Sequence, residues 1–430
     1  MTGNRCGRRW FLPLLLLIGV VTSAAAVVAL SNLFIASRTT DYIEKGVRLS
    51  ADLSRNIAFP NGKYLSGTVQ DASGAAVGLA IIQAVSDDGF VTAQTASGPL
   101  GNFKLSVRPG NYRLEVRPPV RSFDNLSDLP RSVPVTMGSF RVQKDTRAGI
   151  VTLPDGYLVT GQISTDAGTA KTLFGYIAVV PADGGSLYML APAVWGSGAK
   201  SRTFGLILPA GRFSLNFVSG QAFDSRWNDL AMSSLGSATV TVSADRVANV
   251  RVPRGSKVQG TVRDKLGKWM NGLLFIRKSG SSKRSVFGEG ETTMMYVMTG
   301  SFRGYLPVGS YEAVFVPRWN RRYTGRGTKT MVSFDVPLKG VTVPITAASG
   351  VFLRGKITDA RGLVVKTASL TVIPSTADPM SLEAVPLSAK SDEVTGDYSL
   401  CVPAGTYDIQ AVPIGFGEMT AVERLAIALR

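Results

Sequence analysis

A short glycine-framed motif, GTVQDASG at Gly67–Gly74, returns as GQISTDAG from Gly161, GTVRDKLG from Gly260 and GKITDARG from Gly355. The first glycines lie 94, 99 and 95 residues apart. A second motif follows each copy: LSVRPGNYRLEV (105–116), LILPAGRFSLNFV (206–218), YLPVGSYEAVFV (305–316) and CVPAGTYDIQAV (401–412). Its glycines, Gly110, Gly211, Gly309 and Gly405, step by 101, 98 and 96 residues. Two separate motifs at one period constrain the chain to four tandem copies of one fold.

The first motif alternates apolar and polar residues, which reads as a half-buried strand. Val69, Ile163, Val262 and Ile357 then point inward. Asp and the second Gly reverse the chain, because Asp bonds to its own following backbone and Gly adopts positive φ without a clash. Asp71, Asp264 and Asp359 occupy these turns, while Asp166 sits one position later in the second copy. The second motif is a further turn that feeds an alternating strand such as Tyr112, Leu114, Val116. A Ca²⁺-binding role for the turn carboxylates competes poorly with this reading: each turn brings one carboxylate, whereas such sites want six or more oxygens.

GxVxDxxG followed about forty residues later by PxGxYxLxV resembles the carboxypeptidase regulatory-like domain, a transthyretin-like (prealbumin-like) β-sandwich with a carbohydrate-binding-like fold. The resemblance spans residues 47–420 and departs from a standard unit in long middle segments such as 169–203. It implies an all-β chain of Ig-like or transthyretin-like sandwich modules, of the kind appended to secreted or envelope proteins as spacers or in adhesion and glycan contexts. It transfers no catalytic residue, because the regulatory-like domain is not the peptidase domain.

The divisions expected are 1–37, signal peptide or transmembrane signal anchor; 38–62, a lead-in strand segment; and modules at 63–156, 157–255, 256–349 and 350–430. The lead-in VRLSADLSRNIAFPNG (47–62) matches VTVSADRVANVRVPRG (240–255), so each module is entered through the same strand pair. The chain begins with such a pair although no module precedes it. The last segment, AVERLAIAL (421–429), is then the candidate closing strand of module 4. Junctions this short predict closely coupled modules in a stiff or gently bent rod.

Arg5, Arg8 and Arg9 precede Trp10–Ile35, a run of 26 residues without a charge. A basic flank before an apolar run is an export signal with its positive end inside. Cleavage would use Ser23–Ala26; retention would use about twenty residues from Trp10, enough to cross the hydrocarbon layer. Either fate places the modules outside the cytoplasm, membrane-anchored or secreted/periplasmic. The two cysteines, Cys6 and Cys401, form no disulfide framework, and Cys401 falls on an expected strand as a buried thiol.

The chain has no histidine. The usual general base, the usual zinc ligand and every Ser-His or Cys-His pair are therefore excluded. No catalytic, metal or cofactor residue is assigned, and the expectation is a non-catalytic stalk or adhesion/interaction scaffold.

The alternative is an array of polysaccharide-binding modules. Net charge is +17, and residues 257–345 carry 15 basic and 5 acidic residues, so module 3 holds +10 of it. Its clusters are Arg277, Lys278, Lys283, Arg284 and then Arg318, Arg321, Arg322, Arg326, Lys329, with Trp319 and Tyr323 interleaved. A basic, aromatic surface holds anionic polymers by charge and rings by stacking. The bland reading is a solvated basic face. After the second motif an aromatic recurs at Phe123, Phe223, Trp319 and Phe416, with Trp227 beside the second. Such rings either cap the sandwich core or line end loops that bind. Candidate ligand residues are thus Arg318, Trp319, Arg321, Arg322, Tyr323, Arg326, Phe123, Phe223 and Trp227. The partners these features suggest are the membrane, anionic polysaccharide and envelope proteins; no nucleic-acid motif is present. Met294, Met295 and Met298 read as packing fillers.

Overall fold

The computed structural model describes residues 40–87, 91–119, 131–165, 175–182, 189–193, 201–219, 235–280, 292–318, 325–365, 368–377 and 381–413. Three strands precede the first repeat: β1 (Tyr42–Leu49), β2 (Leu53–Ser54) and β3 (Ile57–Phe59). Module 1 contains β4 (Lys63–Gln70), β5 (Ile81–Ser86), β6 (Val91–Ala96), β7 (Asn102–Val107), β8 (Gly110–Arg117), β9 (Val135–Val142) and β10 (Thr146–Thr152). Module 2 contains β11 (Tyr157–Thr165), β12 (Gly175–Pro181), β13 (Met189–Ala193), β14 (Ser201–Leu208), β15 (Gly211–Ser219), β16 (Leu235–Val242), β17 (Arg246–Val247) and β18 (Val250–Val252). Module 3 contains β19 (Ser256–Arg263), β20 (Gly272–Lys278), β21 (Thr292–Val297), β22 (Ser301–Leu306), β23 (Gly309–Pro317), β24 (Thr330–Val336) and β25 (Val341–Thr346). Module 4 adds β26 (Val351–Asp359), β27 (Ala368–Pro374), β28 (Leu387–Lys390), β29 (Asp397–Val402) and β30 (Gly405–Pro413), with one 3₁₀ turn at Leu382–Ala384. The described chain is all-β, as the alternation predicts.

Each module is a two-sheet sandwich. In module 1 a three-stranded sheet, β10-β4-β7, faces a four-stranded sheet, β6-β5-β8-β9. Between them lies a core that includes Leu65, Val69, Ile82, Phe103 and Leu114. Module 3 repeats the order as β25-β19-β22 and β21-β20-β23-β24. Module 2 does the same, and its two sheets join where Ser237 meets Arg251.

The aspartate turns follow one pattern. In module 1 the Ser73 and Ala75 N–H groups donate to Asp71 Oδ1, both at 2.9 Å, and Gly74 takes φ +86°. Leu266 and Lys268 donate to Asp264 Oδ1, and Arg361 and Leu363 to Asp359 Oδ1, again at 2.9 Å. These carboxylates serve their own turns. The corresponding turn of module 2, with Asp166, lies outside the described residues.

The leading glycine of the motif has a different reason. An ideal Cβ on Gly67, Gly161, Gly260 or Gly355 would meet a carbonyl oxygen of one neighbouring strand at 2.5, 1.8, 2.0 and 1.8 Å respectively. On the other side stands an aromatic ring: Phe103, Phe204, Phe302 or Tyr398. The ring covers the bare backbone, and no side chain fits between ring and carbonyl.

Module 4 is completed by the front of the chain. Its own strands supply β28-β27-β30 and β29-β26. β1 pairs antiparallel with β30, from Tyr42↔Ala411 to Leu49↔Gly405. β2 and β3 pair in parallel with β26, through Leu53↔Leu353 and Ile57↔Ile357. These strands hold the places that β9 and β10 hold in module 1. Leu49, Ile57 and Phe59 are at most 1% exposed and belong to the module 4 core. At roughly 1.5–3 kcal/mol for each fully buried large apolar side chain, their gross contribution rivals the whole net stability of a domain.

This pairing overturns the rod. Covalent junctions run from module 1 to module 4, and β1–β3 return the circuit to module 1 through Pro60–Gly62. Contacts cross every junction. Val133 packs on Ile207 between modules 1 and 2, and β15 touches β21 between 2 and 3. β23 touches the 3₁₀ turn between 3 and 4, and β30 touches β6 between 4 and 1. The four modules form a closed ring. β1 takes the edge of β30; residues 421–429, the closing strand expected from the sequence, lie outside the described residues.

The ring also explains runs of buried residues that a half-buried strand would not show. β5 reads intermediate, four buried, intermediate, and β20 has four consecutive buried residues. Val85, Val180, Phe275 and Val314 lie on the second face of the four-stranded sheets and are at most 2% exposed. Strands buried on both faces lose the alternating pattern.

Candidate functional site

Several polar side chains find their partners across the seams between modules. Arg326 lies in the segment before β24 and is exposed. Its guanidinium makes a two-pronged ion pair with Asp52, both contacts 2.8 Å, across the seam of modules 3 and 4. Asp52 also accepts the Phe352 N–H at 3.0 Å, and these bonds hold its carboxyl below the usual carboxylate value. The SAD turn repeats the device in module 2, where Asp245 accepts Arg131 Nη1 and the Leu158 N–H, both at 2.8 Å. Where module 4 meets module 1, Asp41 is fully buried and accepts Arg108 Nε at 3.1 Å and Nη2 at 3.2 Å. Burial pushes its carboxyl above the usual value, and Arg108 opposes that shift. The two exposed pairs, Arg326–Asp52 and Arg131–Asp245, contribute about 0–1 kcal/mol each, so they set orientation more than stability.

Lys329 follows Arg326 into the same seam. Its ammonium donates to the Glu383 carbonyl at 2.5 Å and the Val385 carbonyl at 2.9 Å. Burial lowers its pKa to about 8. Thr328 Oγ1 donates to the Cys401 carbonyl at 2.9 Å, and Cys401 Sγ lies 3.3 Å from the Arg326 carbonyl. Cys401 is fully buried with its pKa pushed up to about 11, an inert packing thiol as its strand position predicts.

Of the nine candidate ligand residues, two are described. Arg326 is committed to Asp52. Arg318 is exposed at the end of β23 and donates to the Tyr296 hydroxyl at 2.9 Å. Trp319, Arg321, Arg322, Tyr323, Phe123, Phe223 and Trp227 lie outside the described residues, as do Phe416 and the apolar run 10–35. The module 3 charge is thus partly structural: Arg277 is 7% exposed and pairs with Glu312 at 3.4 Å, and Lys329 is held in the seam. Met294 and Met295 are core residues, but Met298 is 41% exposed and fills no gap. It stands at a turn tip, where Thr299 takes φ +48°.

Nothing else in the described structure assembles a reactive group. Among the described residues no cluster of three His, Cys, Asp or Glu is brought together. An open groove on module 2, lined by Thr239, Thr241, Arg246 and Asn249, is polar and bonded internally. Arg246 Nη1 donates to the Thr241 carbonyl at 2.6 Å, and Asn249 Oδ1 accepts the Gln162 N–H at 2.9 Å. Sequence reasoning missed the seam partners Asp52, Asp245 and Asp41. The shared SAD at 50–52 and 243–245 is the signal that could have found the first two.

No protein-family model matches the chain. The search of curated proteins likewise gives no match. Solved structures do overlap it. The Bacillus anthracis TIE protein is 9% identical at a TM-score of 0.18, covering 67% of this chain and 50% of that one. BcpA, the major pilin subunit of Bacillus cereus, is 12% identical at 0.17, covering 67% and 99%. The shaft pilin SpaA from Lactobacillus rhamnosus GG is 14% identical at 0.18, covering 45% and 98%. The chain spans half the length of the TIE protein. Likeness of this degree carries nothing about function.

Proposed function

We propose that the protein is a non-catalytic scaffold of the cell envelope, a rigid four-module ring held at the membrane by its N-terminal segment and presenting outer surfaces to envelope proteins. The observation that carries this reading is the incorporation of β1–β3 into module 4. The segment directly after the export signal is a structural part of the ring, so the signal and the ring work as one body. Two further observations support it. The chain lacks histidine, and the polar groups of the described seams are engaged in holding modules together. The polysaccharide reading has no described geometry behind it and is not advanced beyond the charge of the module 3 sequence.

Chemical crosslinking in intact cells tests the proposal. A recurring protein partner, recovered with the full chain from the membrane fraction and lost when the ring is opened by deleting residues 40–59, is expected. Turnover of a substrate by purified protein, abolished by a single carboxylate substitution, would defeat it.

A further inference from the structure

One end of module 3 differs in chemistry from the same end of modules 1 and 4. Two turns meet there, the aspartate turn and the turn before β22. The Val262 N–H donates to the Gly300 carbonyl between them, as Val69 does to Gly101 and Ile357 to Gly396. The aspartate turn closes on the same isolated bridge in all three modules: Gln70↔Ala76, Arg263↔Trp269 and Thr358↔Val364. Alanine and valine make this bridge as tryptophan does, so the fold does not call for an indole. Trp269 is nevertheless 47% exposed, with the Arg263 guanidinium 3.6 Å from its ring centre. An ideal Cβ on Gly300 would meet its Cε3 at 2.3 Å, so the ring rests on the second turn.

Leu266, 79% exposed, stands on the first turn, and the exposed Met298 on the second. Lys265 and Lys268 flank Leu266 and are exposed, as is Arg263. Asp264 is buried and accepts the Leu266 and Lys268 N–H groups. The tip therefore presents apolar side chains ringed by cations, and its two turns expose no carboxylate. Module 1 has Ala72, Ser73, Ala75 and Ala76 in these places, and module 4 sets Val394 in one turn with Asp392 and Glu393. Single exposed apolar residues are ordinary. A cluster of them among cations suits an anionic bilayer, with the indole at headgroup level, aliphatic chains below it and the cations on lipid phosphates. A sugar polymer fits less well, because Arg263 already covers one face of Trp269 and neither Leu266 nor Met298 offers a ring to stack on.

We infer that this tip of module 3, built from Arg263, Lys265, Leu266, Lys268, Trp269 and Met298, docks on the anionic headgroups of a lipid bilayer. The inference rests on the proposed envelope location only in that a bilayer must be within reach. The full chain, with Cys6→Ser and a nitroxide on Leu266→Cys, is reconstituted into vesicles of phosphatidylcholine with or without phosphatidylglycerol; Cys401 is buried and stays unlabelled. With phosphatidylglycerol, collisions of the label with a water-soluble nickel chelate are expected to fall about tenfold. A label on Leu100→Cys, on the matching turn of module 1, is expected to stay in water. Lys265→Gln with Lys268→Gln, and separately Trp269→Val, should each return the Leu266 label to water with the melting temperature unchanged; valine is what module 4 carries at that bridge. A Leu266 label that remains in water overturns the inference, as does equal immersion in pure phosphatidylcholine or immersion kept by both variants. Protection of the label without vesicles would place the tip against a second copy and overturns it too. Carbonate strips contacts made by charge, so extraction by carbonate would sink the N-terminal anchor and leave the label result standing.

Discussion

An ideal Cβ on Gly355 would stand 1.8 Å from the Arg55 carbonyl oxygen, while one on Gly46, at φ +71°, would meet nothing within 4 Å. The two glycines separate packing from backbone preference. Gly355→Ala is expected to cost more than about 3 kcal/mol and to loosen β3 from β26, as overpacking against backbone does. Gly46→Ala is expected to cost about 1 kcal/mol; urea unfolding of both variants measures the difference. Tyr398 occupies the place that Phe103, Phe204 and Phe302 hold elsewhere, and its hydroxyl donates to the Arg55 carbonyl at 2.6 Å. Tyr398→Phe should therefore cost about 1 kcal/mol. Lys329 gives a pH test. Its folded pKa, about 8, is below the ordinary 10.5, so between those values the unfolded chain binds more protons and stability rises with pH. Below pH 8 both states are charged and the gain is absent. Relative to Lys329→Met, the natural chain is expected to gain a few °C in melting temperature between pH 8 and 10.5, at about 2–4 °C per kcal/mol; parallel pH profiles would refute this.

At the scale of elements, β1–β3 are the part of module 4 made farthest from it in sequence. Deleting residues 40–59 should leave β30 and β26 with open edges and expose the places of Leu49, Ile57 and Phe59. Hydrogen exchange across 351–413 is expected to become fast while modules 1–3 stay protected, and a synthetic peptide of residues 40–59 should restore protection. Uniform loss of protection would show that the modules fold only together. The turns and strands were legible because their causes are local: Asp71 is satisfied within four residues, and Gly74, three residues on, reverses the chain. The lead-in was legible as a module-type strand pair from VRLSADL, but its partners were not. Ile57 meets Ile357 across 300 residues, and the local sequence contains nothing that says which β26-type strand accepts it. The second buried face of β5 and β20 was missed for a related reason. A period-two reading assumes water on one side, and only the neighbouring modules of a closed ring remove it. Of the candidate site, Arg326 was found as a basic residue and its role was not, because Asp52 lies 274 residues away.

For the whole molecule, closure fixes the dimensions in solution. Small-angle scattering of residues 40–430 should give a radius of gyration not far above the ~21 Å of a compact chain of that length. A rod of four modules with strands of about 30 Å would exceed roughly 30 Å and would show that the ring opens. Because Tyr42 and Ala411 are paired neighbours, a circular permutant that joins Pro413 to Tyr42 through a loop of about twelve residues and opens the chain at residues 220–234 should fold to the same ring. The front-to-back pairing also sets a schedule. Of the described strands β1 is the first to leave the ribosome and β30 the last, more than 350 residues later. At ~5–20 residues per second, β1 waits for tens of seconds as an unpaired edge, with Leu49 and Phe59 uncovered. A nascent chain of this kind needs a holding partner until synthesis ends, and any copy truncated before β30 is left with a visible defect for a protease to find.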